Sequence, residues 1–120
     1  MDDFESFKNK LSKIADDFNN GKEKELEVIT NIAEGNIKSV TPVLTGTLKR
    51  SITHKIINPS TSEVGPGAEA PYAEAVNYGH KTRNGGFVKG QHYMEKGLQA
   101  AEPQMDAEIN RWVDELFSRV

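Results

Sequence analysis

The chain has 120 residues, room for one compact domain and too few for a two-domain enzyme. Hydrophobic residues make up 36%, below the roughly 45–50% of an ordinary globular chain, so a thin core is expected. With 15 Lys and Arg against 18 Asp and Glu the net charge is −3, which excludes a dedicated nucleic-acid binder that relies on a strongly basic surface.

Phe4, Phe7, Leu11, Ile14 and Phe18 recur at steps of three and four, the stripe of an α-helix, and Asp2, Asp3 and Glu5 suit its N-terminal end. Asn19, Asn20 and Gly21 tolerate left-handed backbone and predict a stop or bend there. A second helix is expected over 22–40, on the stripe Leu26, Ile29, Ala33, Ile37 and Val40. Pro42 disfavours helical geometry at Thr41 and ends it.

Residues 41–70 read as a turn, a short helix and a β-hairpin. Thr45 can cap a helical turn over TLKRS, ITHKII has the β-branched content of a strand, NPSTS reads as a turn, and SEVGPG as the returning strand. Residues 71–79 begin with Pro71 and end with Gly79, which predicts a short helix. HKTRNGGFVKGQ, covering 80–91, has three glycines and no apolar period, and is expected to be a flexible loop. The helical period returns over 92–120 through Met94, Leu98, Ala101, Met105, Ile109, Trp112 and Leu116, with a kink or division at Pro103.

The fold class expected is therefore α+β, a single domain over 1–120: long N-terminal helices and a long C-terminal helix packed on a small antiparallel β-sheet. The apolar stripes sit near the two ends, so residues 58–93 are expected to hold little core of their own. Charge is uneven as well. Residues 1–40 carry nine acids and six bases, 41–93 three and six, and 94–120 six and three.

Candidate chemistry is sparse. There is no cysteine, which removes thiol nucleophiles, disulfide scaffolds and thiolate zinc sites. His54, His80 and His92 form no HxH or HxxxH pair, and His54 is expected to face solvent from its strand. Ser51, His54 and Glu63 could converge across the hairpin, yet no GxSxG elbow accompanies them. GPGAEA and RNGGF match neither phosphate-loop pattern. No catalytic residue, metal, cofactor or small-molecule substrate is expected. No run approaches 18 apolar residues and MDDFESF is acidic, so neither a membrane partner nor a secretion signal is expected. Lys81, Arg83 and Lys89 could touch phosphate, and Tyr72, Tyr78, Phe87 and Tyr93 are rings suited to subunit contacts. These seven residues are the candidate assembly interface.

The order of motifs carries more than any one of them: TPVLTGTLKRSI at 41–52, VG at 64–65, PYAEAVNYGH at 71–80 and HYMEKGLQAA at 92–101. Over about residues 35–120 this resembles the HK97 gp10-like family of tailed-phage proteins, whose recurring pattern is TPVDTGxLxxSI, then YAxxVExG, then a PFLxPAL-like start to the last helix. The matching positions are Thr41, Pro42, Thr45, Gly46, Leu48, Ser51, Ile52, Tyr72, Ala73 and Gly79. Leu44, Asn77, Tyr78, Tyr93 and Met94 depart from the pattern. The resemblance implies a non-enzymatic virion protein of the head–tail junction, a neck or tail-completion component. It implies a ring-like homo-oligomer with neck, connector or tail proteins as partners, and non-specific proximity to DNA in the channel. It also implies residence in the host cytoplasm during assembly and then in the virion. The alternative is a small nucleic-acid- or protein-binding regulatory module that uses the basic central loop.

Overall fold

The structure is a computed structural model, and it describes residues 3–43 and 46–118. In chain order it contains α1 (Asp3–Val40), α2 (Thr47–Ser51), β1 (Thr53–Asn58), β2 (Thr61–Gly65), α3 (Ala73–Tyr78), β3 (Gly79–Lys81), β4 (Phe87–Lys89) and α4 (Tyr93–Ser118). The fold is α+β: two long helices with two small antiparallel strand pairs, the first of which lies along the C-terminal half of α1. The molecule is a narrow rod of 78 × 23 × 22 Å. Among the described residues, no helix is long and apolar enough to cross a membrane.

The break expected at Asn19–Gly21 does not occur, because α1 runs uninterrupted through it. Asn and Gly each weaken a helix interior by no more than about 1 kcal/mol, and α4 lies antiparallel along this stretch. The indole of Trp112 covers Gly21, where an added Cβ would sit 3.6 Å from the ring, and stacks on Phe18 with centroids 5.1 Å apart. Burial of that large ring outweighs the local preference. Pro103 likewise does not divide α4. It lies on the exposed side, while Gly97, Ala101 and Leu116 on the opposite side are buried.

The two helices lie in close contact at Gly97, where a Cβ would fall 2.5 Å from the Ile37 Cα. Around this contact the core gathers: Ile37, Leu48, Ile52, Ala70, Ala73 and Tyr93, with Val64, Val76 and Met94 at its margin. The expectation of little core in 58–93 is therefore corrected, since three of its six buried members, Ala70, Ala73 and Tyr93, come from that stretch. The signal was easy to miss because alanine adds little hydrophobicity yet permits close approach.

β1 and β2 pair antiparallel, with His54 opposite Val64, Lys55 opposite Glu63 and an irregularity between Ile56 and Asn58. The Asn58 side-chain carbonyl accepts from the Ser60 amide at 2.9 Å and closes the turn. The inward face of this hairpin lies on α1. Thr30 donates to the Leu26 carbonyl at 2.6 Å, which leaves Ser62 to donate to the Thr30 hydroxyl at 2.6 Å. His54, expected to face solvent, instead turns inward, with Nδ1 3.3 Å from Glu34 Oε2. The sheet alternation is as expected, but α1 occupies the side that the sequence left open.

Residues 80–91, expected as a flexible loop, contain a second antiparallel pair: Gly79 opposite Lys89, His80 opposite Val88 and Lys81 opposite Phe87. Gln91 and His92 then donate to the Val76 and Asn77 carbonyls at 2.8 and 2.9 Å. These bonds use the backbone, which an apolar-period search does not see. Gly79 has φ 88°, and a Cβ there would meet the Val88 carbonyl at 2.5 Å, so the tight entry to β3 requires glycine.

Replacing Gly97 by Val is expected to destabilise the protein by about 1–3 kcal/mol, because the added branch meets the α1 backbone. Replacing Gly21 by Ala is expected to stabilise it by about 1 kcal/mol, since the space exists and helix propensity rises. Chemical denaturation of both variants beside the parent checks the pair.

Candidate assembly interface

Most of the described motif positions support the fold. Thr41 is buried and donates to the Ile37 carbonyl at 2.6 Å, closing the end of α1, and half-buried Pro42 follows. Gly46 has φ 84° and leads into α2, and its carbonyl accepts from the Arg50 amide at 3.0 Å. Thr45, expected to cap α2, and Leu44 lie outside the described residues. Leu48 and Ile52 enter the core, and Ser51 is buried with its hydroxyl on the Leu48 carbonyl at 2.7 Å. Ala73 is buried, and its carbonyl accepts from the Tyr93 hydroxyl at 3.2 Å.

Tyr93 was expected in the assembly interface and is corrected to the core, where it is 1% exposed. Burial, with smaller contributions from Glu95 and Tyr78, holds its phenol above the ordinary range. Asn77, noticed in the sequence only as a departure from an acidic position, is a second buried anchor. Its side chain donates to Glu95 Oε1 at 3.1 Å and accepts from the Met94 amide at 3.1 Å. One amide thus ties α3 to the first turn of α4. Glu95 is held below the usual carboxylate range, chiefly by a backbone hydrogen bond, then by Asn77 and His92.

The other candidates divide between two places. Phe87 is 64% exposed and covers Gly79 on one face of the β3–β4 pair. In this register Lys81 and Lys89 share that face. Tyr78, 62% exposed, stands just before it, and exposed Arg83 lies in the connecting turn. Tyr72 is partly exposed ahead of α3 and belongs to a different side. The hairpin end therefore presents Tyr78, Lys81, Phe87 and Lys89 together, with Arg83 beside them.

The convergence considered for hydrolysis is absent. Lys55, not His54, is opposite Glu63, which puts His54 and Glu63 on opposite faces, and the Ser51 hydroxyl is used by Leu48. His92 is 3.7 Å from Glu95, while His80 is exposed on the second hairpin.

The opposite end of the rod carries an exposed apolar surface. Phe4 is 75% exposed, Phe7 59% and Leu11 49%. Their helical period was legible in the sequence. Whether a partner helix reaches that far was not. Between the two ends, the buried Glu25 carboxyl lies beside Glu108, which accepts two hydrogen bonds from Arg111 at 2.7 and 3.0 Å, while Arg111 also reaches Glu115 at 2.9 Å. Burial and the Glu108 charge hold Glu25 above its ordinary value. Its neighbour Glu108 is held below, chiefly by the Arg111 hydrogen bonds.

The structure is thus an elongated scaffold that displays apolar side chains at both ends. The family described as "Bacteriophage HK97-gp10, putative tail-component" matches residues 5–79, more than half of the chain. The protein belongs to that family of phage tail components. The match reaches back along α1, beyond the 35–120 span over which the motifs were aligned, and stops at Gly79. No curated protein and no solved structure matches the chain.

Replacing Tyr93 by Phe is expected to cost about 1 kcal/mol through the lost hydrogen bond to Ala73, with the fold retained by circular dichroism. For Glu25 the sign is opposite to that of an ion-paired carboxylate. Its folded pKa is raised, so its contribution falls as pH rises from the ordinary value of 4.5 through the folded value. Glu25→Gln is expected to raise the urea midpoint at pH 7 and to give no such gain at pH 4.

Proposed function

We propose that the protein is a non-enzymatic structural part of the phage head–tail junction, a neck or tail-completion component. It assembles as a ring with itself and docks on neighbouring neck or tail proteins. The observation that carries this reading is the family match, joined to a fold in which most of the described motif residues give internal support. A chain with so small a core and exposed rings at both ends is suited to gaining buried surface from neighbours. A closed cyclic arrangement gives every copy identical contacts. On this reading the protein resides in the host cytoplasm during assembly and then in the virion.

The Lys81–Phe87–Lys89 face favours a second role inside the same assembly, a non-specific contact with channel DNA. Two lysines beside an exposed ring suit phosphate and base stacking. As an independent regulatory module the chain would need a broader basic surface than its net charge of −3 provides.

A phage lacking this gene is expected to yield DNA-filled heads and free tails that do not join, with joining restored by the intact protein in trans. Normal, infectious particles without the protein would overturn the proposal. Changing Tyr78 and Phe87 together to Ala is expected to alter stability by only about 0.5 kcal/mol, as for exposed positions, while reducing that restoration. Particle counts by electron microscopy check both outcomes.

A further inference from the structure

Midway along the rod, in the seam between α1 and α4, Glu25 is only 6% exposed and its Oε1 has no hydrogen-bond partner. A carboxylate taken out of water in this way is costly unless a cation or a donor meets it. The cations nearby are directed elsewhere. Arg111 gives its guanidinium to Glu108 at 2.7 and 3.0 Å and to Glu115 at 2.9 Å. Lys13 lies 4.0 Å from Asp17. Lys22 and Lys24 stand in the surrounding walls without bonding to Glu25 Oε1.

The same carboxyl lines a cleft of about 300 Å³ whose other walls include Phe18, Leu26, Ile29, Ile109 and Trp112. An apolar cleft with one carboxylate in its wall suits a long cation, because a methylene stem can lie on carbon while the charged head reaches oxygen. Around it the surface is acidic. Residues 13–29 carry five acids and three bases, and residues 102–115 five acids and one base. Among the described residues no group of three or more His, Asp or Glu is placed to hold a metal ion, so the donor set fits an organic cation. Trp112, stacked on Phe18 with centroids 5.1 Å apart, selects further. A flat guanidinium stacks on an indole and is more weakly hydrated than an ammonium, so it loses less on leaving water.

We propose that this cleft is a binding site for an arginine side chain presented by a neighbouring protein chain. The stem lies against Leu26, Ile29 and Trp112, and the guanidinium donates to Glu25 Oε1. An arginine within a polypeptide fits better than the free amino acid, whose α-carboxylate would be brought to an acidic surface. Protonation of Glu25 competes with the guest, since burial and Glu108 raise its pKa. As pH falls Glu25 is neutralised before Glu108, which Arg111 holds below the ordinary range. The arginine, Arg111, Lys22 and Lys24 keep their charge throughout, so binding weakens toward acid.

The site and the head–tail reading are independent, and either can fail alone. Trp112 is the one tryptophan of the chain, so its fluorescence reports occupancy of the cleft directly. Titration of the full chain with a Gly-Gly-Arg-Gly-Gly peptide blocked at both ends is expected to give a saturable change at pH 7. The peptide should bind about tenfold more tightly than the same peptide with neutral citrulline in place of arginine, as the loss of a hydrogen bond to a charged group implies. It should also bind more tightly than free arginine, and more weakly at pH 4 than at pH 7. Glu25→Gln, expected above to be the more stable protein at pH 7, should lose the preference for arginine over citrulline with its circular dichroism unchanged. No saturable change throughout the millimolar range, equal binding of the citrulline peptide, free arginine binding as tightly as the peptide, affinity that does not fall toward acid, or a Glu25→Gln variant that binds like the parent would each overturn the proposal.

Discussion

The contact on which the broad end of the molecule depends is Gly97 against Ile37. With no side chain at 97, α4 can lie directly on the backbone of α1. That closeness places Tyr93, one turn earlier in α4, deep enough for its ring to fill the core and its hydroxyl to reach the Ala73 carbonyl. Leu48 and Ile52 close the core from below the α1 terminus, and the small side chains of Ala70 and Ala73 allow the chain to pass close by. A larger residue at 97 would act on all of these at once, because a close-packed interior transmits displacement instead of absorbing it.

Polar groups give this small core its definition. Asn77 is buried and serves both Glu95 and the Met94 amide, so the end of α3 and the beginning of α4 have one fixed relation. Thr41 and Ser51 return their hydroxyls to carbonyls of their own helices, which lets polar residues sit among apolar ones without an unsatisfied donor. Further along the rod, Arg111 gathers Glu108 and Glu115 while Glu25 stands buried beside them. The seam is thus well packed at one end, ionic in the middle and open at the tip. That gradient suits a component whose ends meet neighbours.

How much was legible can be judged from particular residues. The stripes of α1 and α4, the β1–β2 hairpin and the short α3 were readable because period and turn chemistry are local properties. The continuity of α1 was not. Asn19, Asn20 and Gly21 favour a break over a window of three residues, and only Trp112, ninety residues away, reverses the balance. The β3–β4 pair escaped notice because its short strands are exposed on every side chain and are held by backbone hydrogen bonds. Tyr93 and Phe87 looked alike as aromatic candidates, and the fold buried one and displayed the other.

The sequence by itself determined which faces of the helices are apolar, where the chain turns, and the order of motifs that marks the family. Those features follow from side-chain chemistry and backbone preference within a few residues. Only the tertiary structure decided which apolar face is core and which is surface. The Phe4–Leu11 stripe and the Ile29–Ile37 stripe have the same local pattern, and what separates them is that the second is packed against other elements of the fold while the first is exposed. Burial depends on the relative lengths and register of segments far apart in the chain, and no local pattern carries that information.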